Sequence, residues 1–370
     1  MPGFSADAGD WCIPALRHLA RALAARDDVR VIAVRYPFRA SRYTIEGAEV
    51  LALGGGVRRG GGALGIWRRT LDVLRSEHHR RRFDVLHAFW ATESGLLAAA
   101  AGRLLHIPTV VSLAGGELVA LPDVGYGDQR VARERLKVRA SLRLASAVSG
   151  GSIQLLALAA RHVPRARLHR APLGVDFELF GPGAAPWVAN GPPRIVHVAT
   201  LTRIKDQATL LRAFSTVRQR MPDATLDIVG DGPLRADLEQ LARQLGLAEA
   251  VRFVGNVDHA ALPGVYRTGS AFVLSSRHEA QGMVAIEAAA CGLAVVGTRV
   301  GVIPELAAAA DAVAPVGAPA ALAQALAAIL ATGADARRRA LARRERVETE
   351  FGLQACVARF RALYADLTAE

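Results

Sequence analysis

The sequence predicts an α/β protein of two doubly wound, Rossmann-like domains facing each other across a cleft. Three observations predict it. Short β-branched runs alternate with helical patterns through both halves, which argues for parallel sheets covered by helices on both faces. A Gly/Pro-rich stretch without periodicity, GVDFELFGPGAAPWVANGPP (174–193), interrupts that alternation. The chain has 370 residues, 51% of them hydrophobic and 22% charged, enough for two packed cores of ordinary size. The expected boundaries are 1–175 for the first domain, 176–193 for a linker and 194–350 for the second domain. The amphipathic segment 351–370 is expected to return to the first.

In the first half, VRVIAVRYP (29–37) reads as a strand and LGGGVRRGGG (53–62) as a Gly-rich loop. A helix follows around Trp67, Leu71 and Leu74. FDVLHAF (83–89) is a strand, SGLLAAAAGRLL (94–105) a helix and PTVVSLAGG (108–116) a strand ending in glycines. A basic helix (about 127–145), a short strand (146–149), another helix and RLHRAPLG (167–174) follow. In the second half, RIVHVAT (194–200), TLDIVG (225–230), VRFVG (251–255), AFVLS (271–275) and LAVVGT (293–298) each precede a helix pattern. Open parallel sheets bind ligands outside the carboxyl ends of their strands, so the loops after these runs are where chemistry is sought.

The formal net charge of +12 suits anionic partners, whether nucleotide phosphates, nucleic acid or an acidic membrane surface, and by itself selects none of them. No nucleic-acid partner is expected. Cys12, Cys291 and Cys356 are too far apart for a metal-ligand spacing and odd in number, so a reducing cytoplasm is the simplest compartment. The opening residues, MPGFSADAGDW, are not a signal peptide pattern. Charged residues break every apolar run of membrane-spanning length.

SSRHEAQGMVAIEAAACG (275–292) carries two glutamates, Glu279 and Glu287, the second in an almost wholly apolar run. On one helix they would be about 12 Å apart and about 80° out of phase, so they would not face one partner together. If the strand ends near Ser276, Glu279 lies in the loop at its carboxyl end and Gly282 opens the next helix. The N–H groups of Gly282, Met283 and Val284 then form an anion site, with a carboxylate on each side of it. A capped helix with a surface loop glutamate would fit the same residues. A second strand–loop–helix, VHVATLTRIKDQATLLRAF (196–214), places Arg203 and Lys205 ahead of a helix that Asp206 can cap. These cations would neutralise a diphosphate, or else be solvated loop charges. VGDGPLRADL (229–238) reads as a tight turn, since the three-glycine dinucleotide fingerprint is missing. No Asp-x-Asp pair offers oxygen ligands for a nucleotide-bound magnesium, so no metal and no resident cofactor are expected. His87 ends one strand, and Gly115, Gly116 and Glu117 follow another. The helix pattern of residues 65–82 sets Trp67, Leu71 and Leu74 opposite many arginines. That suits either peripheral docking on an anionic membrane or an ordinary core-facing helix.

Together these segments resemble the GT-B glycosyltransferases, specifically the large family 4 of retaining enzymes. The resemblance is carried by HEAQGMVAIEAAACGLAVVGTRVGVIPEL (278–306), with the family's E-x7-E pattern, and by ATLTRIKDQATLLRAF (199–214), IVGDGPLRADLEQLA (228–242), VRFVGNV (251–257) and APLGVDFELF (171–180). FDVLHAFW and PTVVSLAGGEL match more loosely. The resemblance implies a nucleotide-diphosphate sugar as donor and co-substrate, and an acceptor hydroxyl on a glycan, lipid-linked or small-molecule partner. It implies that Glu287 binds the ribose hydroxyls, that Glu279 lies beside the transferred sugar, and that Lys205 and the N–H groups around Met283 and Val284 hold the diphosphate. The family arginine five residues before the lysine is Thr200 here, and Arg203 is the candidate substitute. The histidine that often ends the strand at VVSLAGG is Ala114, with Glu117 near the usual acidic site. His87 therefore joins Glu279 and Lys205 as a catalytic candidate.

The resemblance implies a retaining hexosyltransferase. A non-catalytic nucleotide-sugar binding protein or a nucleotide-sugar epimerase of similar architecture would carry much of the same pattern. The family opens with a strand, whereas here the helix pattern DWCIPALRHLARALA begins at residue 10. Either a strand is encoded upstream of Met1 or the first sheet lacks an inner strand.

Overall fold

A computed structural model describes residues 1–7, 9–10, 12–56, 62–183, 191–307 and 312–369. The chain divides into two compact units. One comprises Met1–Gly174 with Leu353–Glu370, the other Val175–Gly352. The stretch read as a linker from 176 does not begin as one. Val175, Phe177 and Phe180 are buried in the core of the second unit, and Val175 N–H donates to Phe351 O at 2.9 Å. The apolar residues among the glycines and prolines supply the reason. Residues 184–190 of that stretch lie outside the described residues.

Among the described residues the first unit holds seven strands: β1 (Arg30–Ala33), β2 (Ala40–Ile45), β3 (Ala48–Leu53), β4 (Leu86–Phe89), β5 (Thr109–Leu113), β6 (Ala147–Gly150) and β7 (Leu168–Arg170). They form two separate pieces of sheet, ordered β1-β3-β2 and β4-β5-β6-β7. The second piece is wholly parallel. The hairpin β2–β3 was not expected. Its turn is Glu46-Gly47, both at positive φ (50° and 88°), the conformation that matches the twist of paired strands. The helix Leu353–Ala369 packs on the helix Pro14–Ala24 through Cys356, Val357 and Phe360 against Leu16 and Leu19.

The helix Gly62–Arg80 uses its apolar side internally. Leu74 packs with Leu86 and Ile107, Ile66 with Val34 and Leu53, and Trp67 Nε1 donates to Glu93 at 2.6 Å. Docking of that face on a membrane is therefore corrected: the face is already covered by protein.

Among its described residues the second unit has six strands: β8 (Arg194–Val198), β9 (Thr225–Val229), β10 (Val251–Gly255), β11 (Ala271–Leu274), β12 (Ala294–Thr298) and β13 (Val313–Ala314). Their order is β10-β9-β8-β11-β12-β13, all parallel. Side chains alternate across each strand, so one apolar run feeds two cores. Ile195, Leu226, Ile228, Val273 and Val296 face one, with Leu210, Leu211 and Phe214. Val196, Val198, Val229, Phe272 and Leu274 face the other, with Ala285, Ile286 and Tyr266. Each such Leu, Ile or Phe contributes roughly 1.5–3 kcal/mol on full burial. No single described helix is long and apolar enough to cross a membrane; Pro319–Ala331 and Gly333–Ala342 are together apolar enough but meet at 90°.

Candidate active site

The chain passes from β8 outward through β9 and β10, then returns to β11 on the other side of β8. Strand order thus reverses between β8 and β11, and the crevice at their carboxyl ends is where an open sheet takes a ligand. The loop after β8 carries Thr200, Arg203 and Lys205. The loop after β11 carries Glu279 and leads through Gly282 into the helix Met283–Ala290.

The two loops are tied to each other. Arg277 N–H donates to Ile204 O (2.8 Å), and Ser275 Oγ to Lys205 O (2.8 Å). A short 3-10 turn, Arg203–Lys205, ends at Asp206, which takes a left-handed conformation (φ 48°) and caps the helix Gln207–Arg220 by accepting from Thr209 N–H. Neighbouring loops brace the pair. Leu201 N–H donates to Asp231 O (3.0 Å), and a Cβ at Gly230 would lie 2.1 Å from Ala199 O, so only glycine lets the β9 loop pass there. Val302 N–H donates to Gln281 O (2.8 Å) and Thr298 Oγ1 to Ser276 O (2.5 Å).

Lys205 Nζ lies 2.6 Å from Glu279 Oε1, and Ser276 Oγ donates to the same oxygen at 2.6 Å. The side chains are 23% and 11% exposed, so the pair is largely shielded but open to a ligand. Gly282 sits at φ 92° as the residue before the helix, a conformation costly for other L-residues. The N–H groups that follow it, on Met283 and Val284, have no acceptor within the helix. They point an eight-residue helix dipole out of its start. Thr200 is exposed; its carbonyl accepts from Gln207 Nε2 at 3.0 Å. Arg203 is exposed and makes no ion pair among the described residues.

Glu287 has different partners from Glu279. It is buried, 2.9 Å from Tyr266 Oη, which donates to it, and 3.2 Å from His259 Nε2. Burial, helped by the neighbouring Glu287 carboxylate, holds the Tyr266 hydroxyl well above its ordinary pKa and so keeps it a donor. His259 in turn packs edge-on to Phe180, ring centroids 5.1 Å apart. Tyr266 and His259 went unread in the sequence, 21 and 28 residues upstream of their carboxylate on other elements. The one available signal was the apolar setting of Glu287, which demands partners from somewhere.

His87 is a correction. It stands on β4 inside the first unit, with Nδ1 2.6 Å from Tyr364 Oη and Nε2 2.7 Å from Ser112 Oγ. Its ring packs against Phe89 and Phe360. Desolvation, with the Met1 ammonium adding to it, lowers its pKa to about 3. Both nitrogens of this half-buried ring are engaged and it stays neutral, which leaves no free nitrogen to act as a catalytic base. Glu117 is likewise fully buried, accepting N–H bonds from Ala91 (3.3 Å), Ala114 (3.0 Å) and Gly115 (2.7 Å). It clamps the loops at the carboxyl ends of β4 and β5 together. Beside it Trp90 holds a positive φ of 65°, a feature the sequence did not announce.

Residues 13–174 match the family model described as Glycosyl transferase 4-like domain, and residues 186–346 match Glycosyl transferases group 1. The D-inositol 3-phosphate glycosyltransferase 2 of Catenulispora acidiphila is 32% identical over 254 residues, 63% of this chain and 59% of that protein. A GDP-mannose-dependent alpha-(1-6)-phosphatidylinositol monomannoside mannosyltransferase of Mycolicibacterium smegmatis is 34% identical over 156 residues, 38% of this chain and 41% of that protein. The matches thus span about half the length of these relatives. Among solved structures, sucrose-phosphate synthase from Thermosynechococcus elongatus superposes with a TM-score of 0.79 at 25% identity, over 96% of this chain and 92% of that one. Anabaena HepE, in complex with UDP and glucose, gives a TM-score of 0.75 at 18% identity, over 98% and 99%. With both halves matched by glycosyltransferase family models, 13–174 and 186–346, and the fold shared over nearly the whole chain, this chain belongs to the glycosyltransferases of the GT-B fold.

Proposed function

We propose that the chain is a retaining glycosyltransferase that moves a sugar from a nucleotide-diphosphate donor to an acceptor hydroxyl. One observation carries the reading: Lys205, Glu279 and the helix start at Gly282 meet at the point where strand order reverses. An ammonium and free helix N–H groups suit a diphosphate, and a carboxylate between them and the open side suits a sugar that becomes cationic. Glu287, held by Tyr266, is assigned to the ribose hydroxyls, and Arg203 to the charge that Thr200 does not supply. The likeness to a GDP-mannose-dependent mannosyltransferase and to HepE, solved in complex with UDP and glucose, supports a nucleotide-sugar donor.

In the proposed reaction the bond from the anomeric carbon to the diphosphate oxygen breaks as Lys205 and the helix N-terminus take up the leaving charge. The acceptor oxygen bonds to the same face of the sugar, and its proton passes to the departing phosphate oxygen. The scheme uses no metal ion and no dedicated protein base. Incubating the protein with UDP- and GDP-sugars, with and without acceptor alcohols, and measuring nucleotide diphosphate release tests it. Acceptor-dependent release with retained anomeric configuration by NMR is expected. Binding without release would favour a non-catalytic nucleotide-sugar binding protein, and an isomerised sugar nucleotide would favour an epimerase.

A further inference from the structure

Strands β8 and β11 carry the loops of Lys205 and Glu279, and one buried side chain links them beneath those loops. The strands pair at Ile195–Ala271 and Val196–Phe272. One residue further along, a ring makes the link: fully buried His197 has Nδ1 2.9 Å from Val273 O. Its other nitrogen, Nε2, lies 3.3 Å from Nε2 of Gln207, the first residue of the helix Gln207–Arg220. The same amide nitrogen donates to Thr200 O at 3.0 Å.

The hydrogens of this chain of contacts can be placed in one way. A carbonyl only accepts, so His197 Nδ1 carries the proton. Desolvation lowers the pKa of the ring to about 4, against the pull of the Val273 carbonyl, so the ring is neutral at pH 7 and Nε2 is an acceptor. Gln207 then gives one amide hydrogen to His197 and the other to Thr200 O. Turned over, the amide would set Oε1 against two acceptors. As it stands, Oε1 is buried without a hydrogen-bond partner among the described residues. Packing alone gives no reason for that, since leucine or methionine would fill the space and orphan no oxygen.

We infer, on the reading of the loop after β8 as part of the donor site, that His197 is a positioning residue for Lys205. Acting through Gln207, it fixes Thr200 O and with it the turn that presents the ammonium to a diphosphate. The connection is continuous. Thr200 O also accepts from Thr202 N–H (3.0 Å), and Lys205 N–H donates to Thr202 O (3.0 Å). Ser275 Oγ holds the Lys205 carbonyl at 2.8 Å. The β11 side thus reaches the lysine turn twice, through Ser275 and through His197. A cation displaced by even 1 Å from its productive place loses much of its effect on a reacting group.

Calorimetric titration of UDP and GDP into His197→Asn, Gln207→Leu, Lys205→Ala and their double variants tests it. Asparagine keeps a donor for Val273 O near the Nδ1 position and has nothing at Nε2, so only the tie to Gln207 is lost. His197→Asn and Gln207→Leu should each weaken nucleotide diphosphate binding roughly fivefold, and together no more than either alone. Added to Lys205→Ala, neither should have a further effect. A merely structural role would give the same loss with and without the lysine, and that result overturns the proposal. Unchanged affinity in folded His197→Asn overturns it as well; if that variant does not fold, Gln207→Leu with and without Lys205→Ala decides the question. Should the natural chain bind neither nucleotide, or Lys205→Ala bind as well as the natural chain, the donor-site reading itself fails and the role of His197 falls with it.

Discussion

Glu279→Gln separates charge from shape at the site, because the pair with Lys205 exists before any donor arrives. Glu279 Oε1 accepts from both Lys205 Nζ and Ser276 Oγ at 2.6 Å, so a ligand phosphate recruiting the ammonium must compete with a carboxylate. The side chains are 23% and 11% exposed, which places the pair between a surface bridge and a buried one. A net value of about 1 kcal/mol is reasonable for the contest. Glutamine keeps a hydrogen-bonding oxygen for Ser276 but removes the charge. The bare nucleotide diphosphate should therefore bind up to about fivefold more tightly to the variant. Transfer should move the other way, falling ~10²-fold, because a carboxylate beside the developing sugar cation acts mainly in the transition state. Lys205→Ala should weaken diphosphate binding by about tenfold or more through loss of a charge-assisted bond. Calorimetric titration of UDP and GDP into the natural chain, each single variant and the double variant reads the binding half. Initial rates of nucleotide release read the other. If Glu279→Gln weakens bare diphosphate binding as much as Lys205→Ala does, the carboxylate is part of the diphosphate site and the division of roles is wrong.

Glu287→Gln should weaken both the bare nucleotide diphosphate and the nucleotide sugar about tenfold, while Tyr266→Phe, which strips a buried carboxylate of its 2.9 Å donor, should cost about 1–3 kcal/mol in urea denaturation. Unchanged affinity in Glu287→Gln would leave that carboxylate a purely structural role. Acid should destabilise the fold early, because desolvation lowers the pKa values of the half-buried His87 and the fully buried His197 to about 3 and about 4. The unfolded chain binds the extra protons, so their contribution is complete above about pH 6.5 and is lost as pH falls toward those values, by up to about 1.4 kcal/mol per pH unit for each. Replacing either histidine should flatten the dependence of the urea midpoint on pH between 6.5 and 5; an unchanged slope would contradict the assignment. Gly282→Ala meets no atom closer than 3.7 Å, so its cost should be conformational, about 1–2 kcal/mol in denaturation, with weaker diphosphate binding as the helix start shifts.

The second unit was the more legible because most of its strands are buried on both faces, the half-exposed edge strand β10 excepted. RIVHV, TLDIV, VRFVG, AFVL and AVVGT are rich in apolar and β-branched residues, and each forms a strand within two residues of where it was expected. The cap at Asp206 was also readable, since an aspartate before an apolar-periodic run has one common use. The hairpin from 40 to 53 was missed although ASRYTI and AEVLAL flank a Glu-Gly pair. Glu-Gly is a weaker turn signal than Asn-Gly or Asp-Gly, and the glycine run after it drew the reading toward a loop. Contacts across elements were beyond the reach of pattern. Nothing at Tyr266 or His259 marks them as partners of Glu287. The direction of the His87 ring was likewise invisible: strand-end position places a residue, but the packing of Phe360 and Tyr364 from the far end of the chain decides where it points.

The departures at Thr200 and Ala114 have different consequences. The loop after β8 is held by its backbone, through Gln207 to Thr200 O, Asp231 to Leu201 N–H, Leu234 to Leu201 O and Arg277 to Ile204 O. A side-chain change at 200 therefore alters the charge of the loop and not its path. Arg203, exposed two residues from Lys205 and without an ion pair among the described residues, keeps two cations on that loop. In the first unit the losses are not offset in this way. Ala114 has no titratable group, Glu117 spends its carboxylate on three backbone N–H bonds, and His87 has both nitrogens engaged at a pKa of about 3. None of the three acceptor-side groups that the sequence singles out can take a proton from an incoming hydroxyl at neutral pH. A scheme in which the departing phosphate accepts that proton places no demand on them. The chemistry at these three positions is therefore compatible with the proposed substrate-assisted transfer, which needs no protein base.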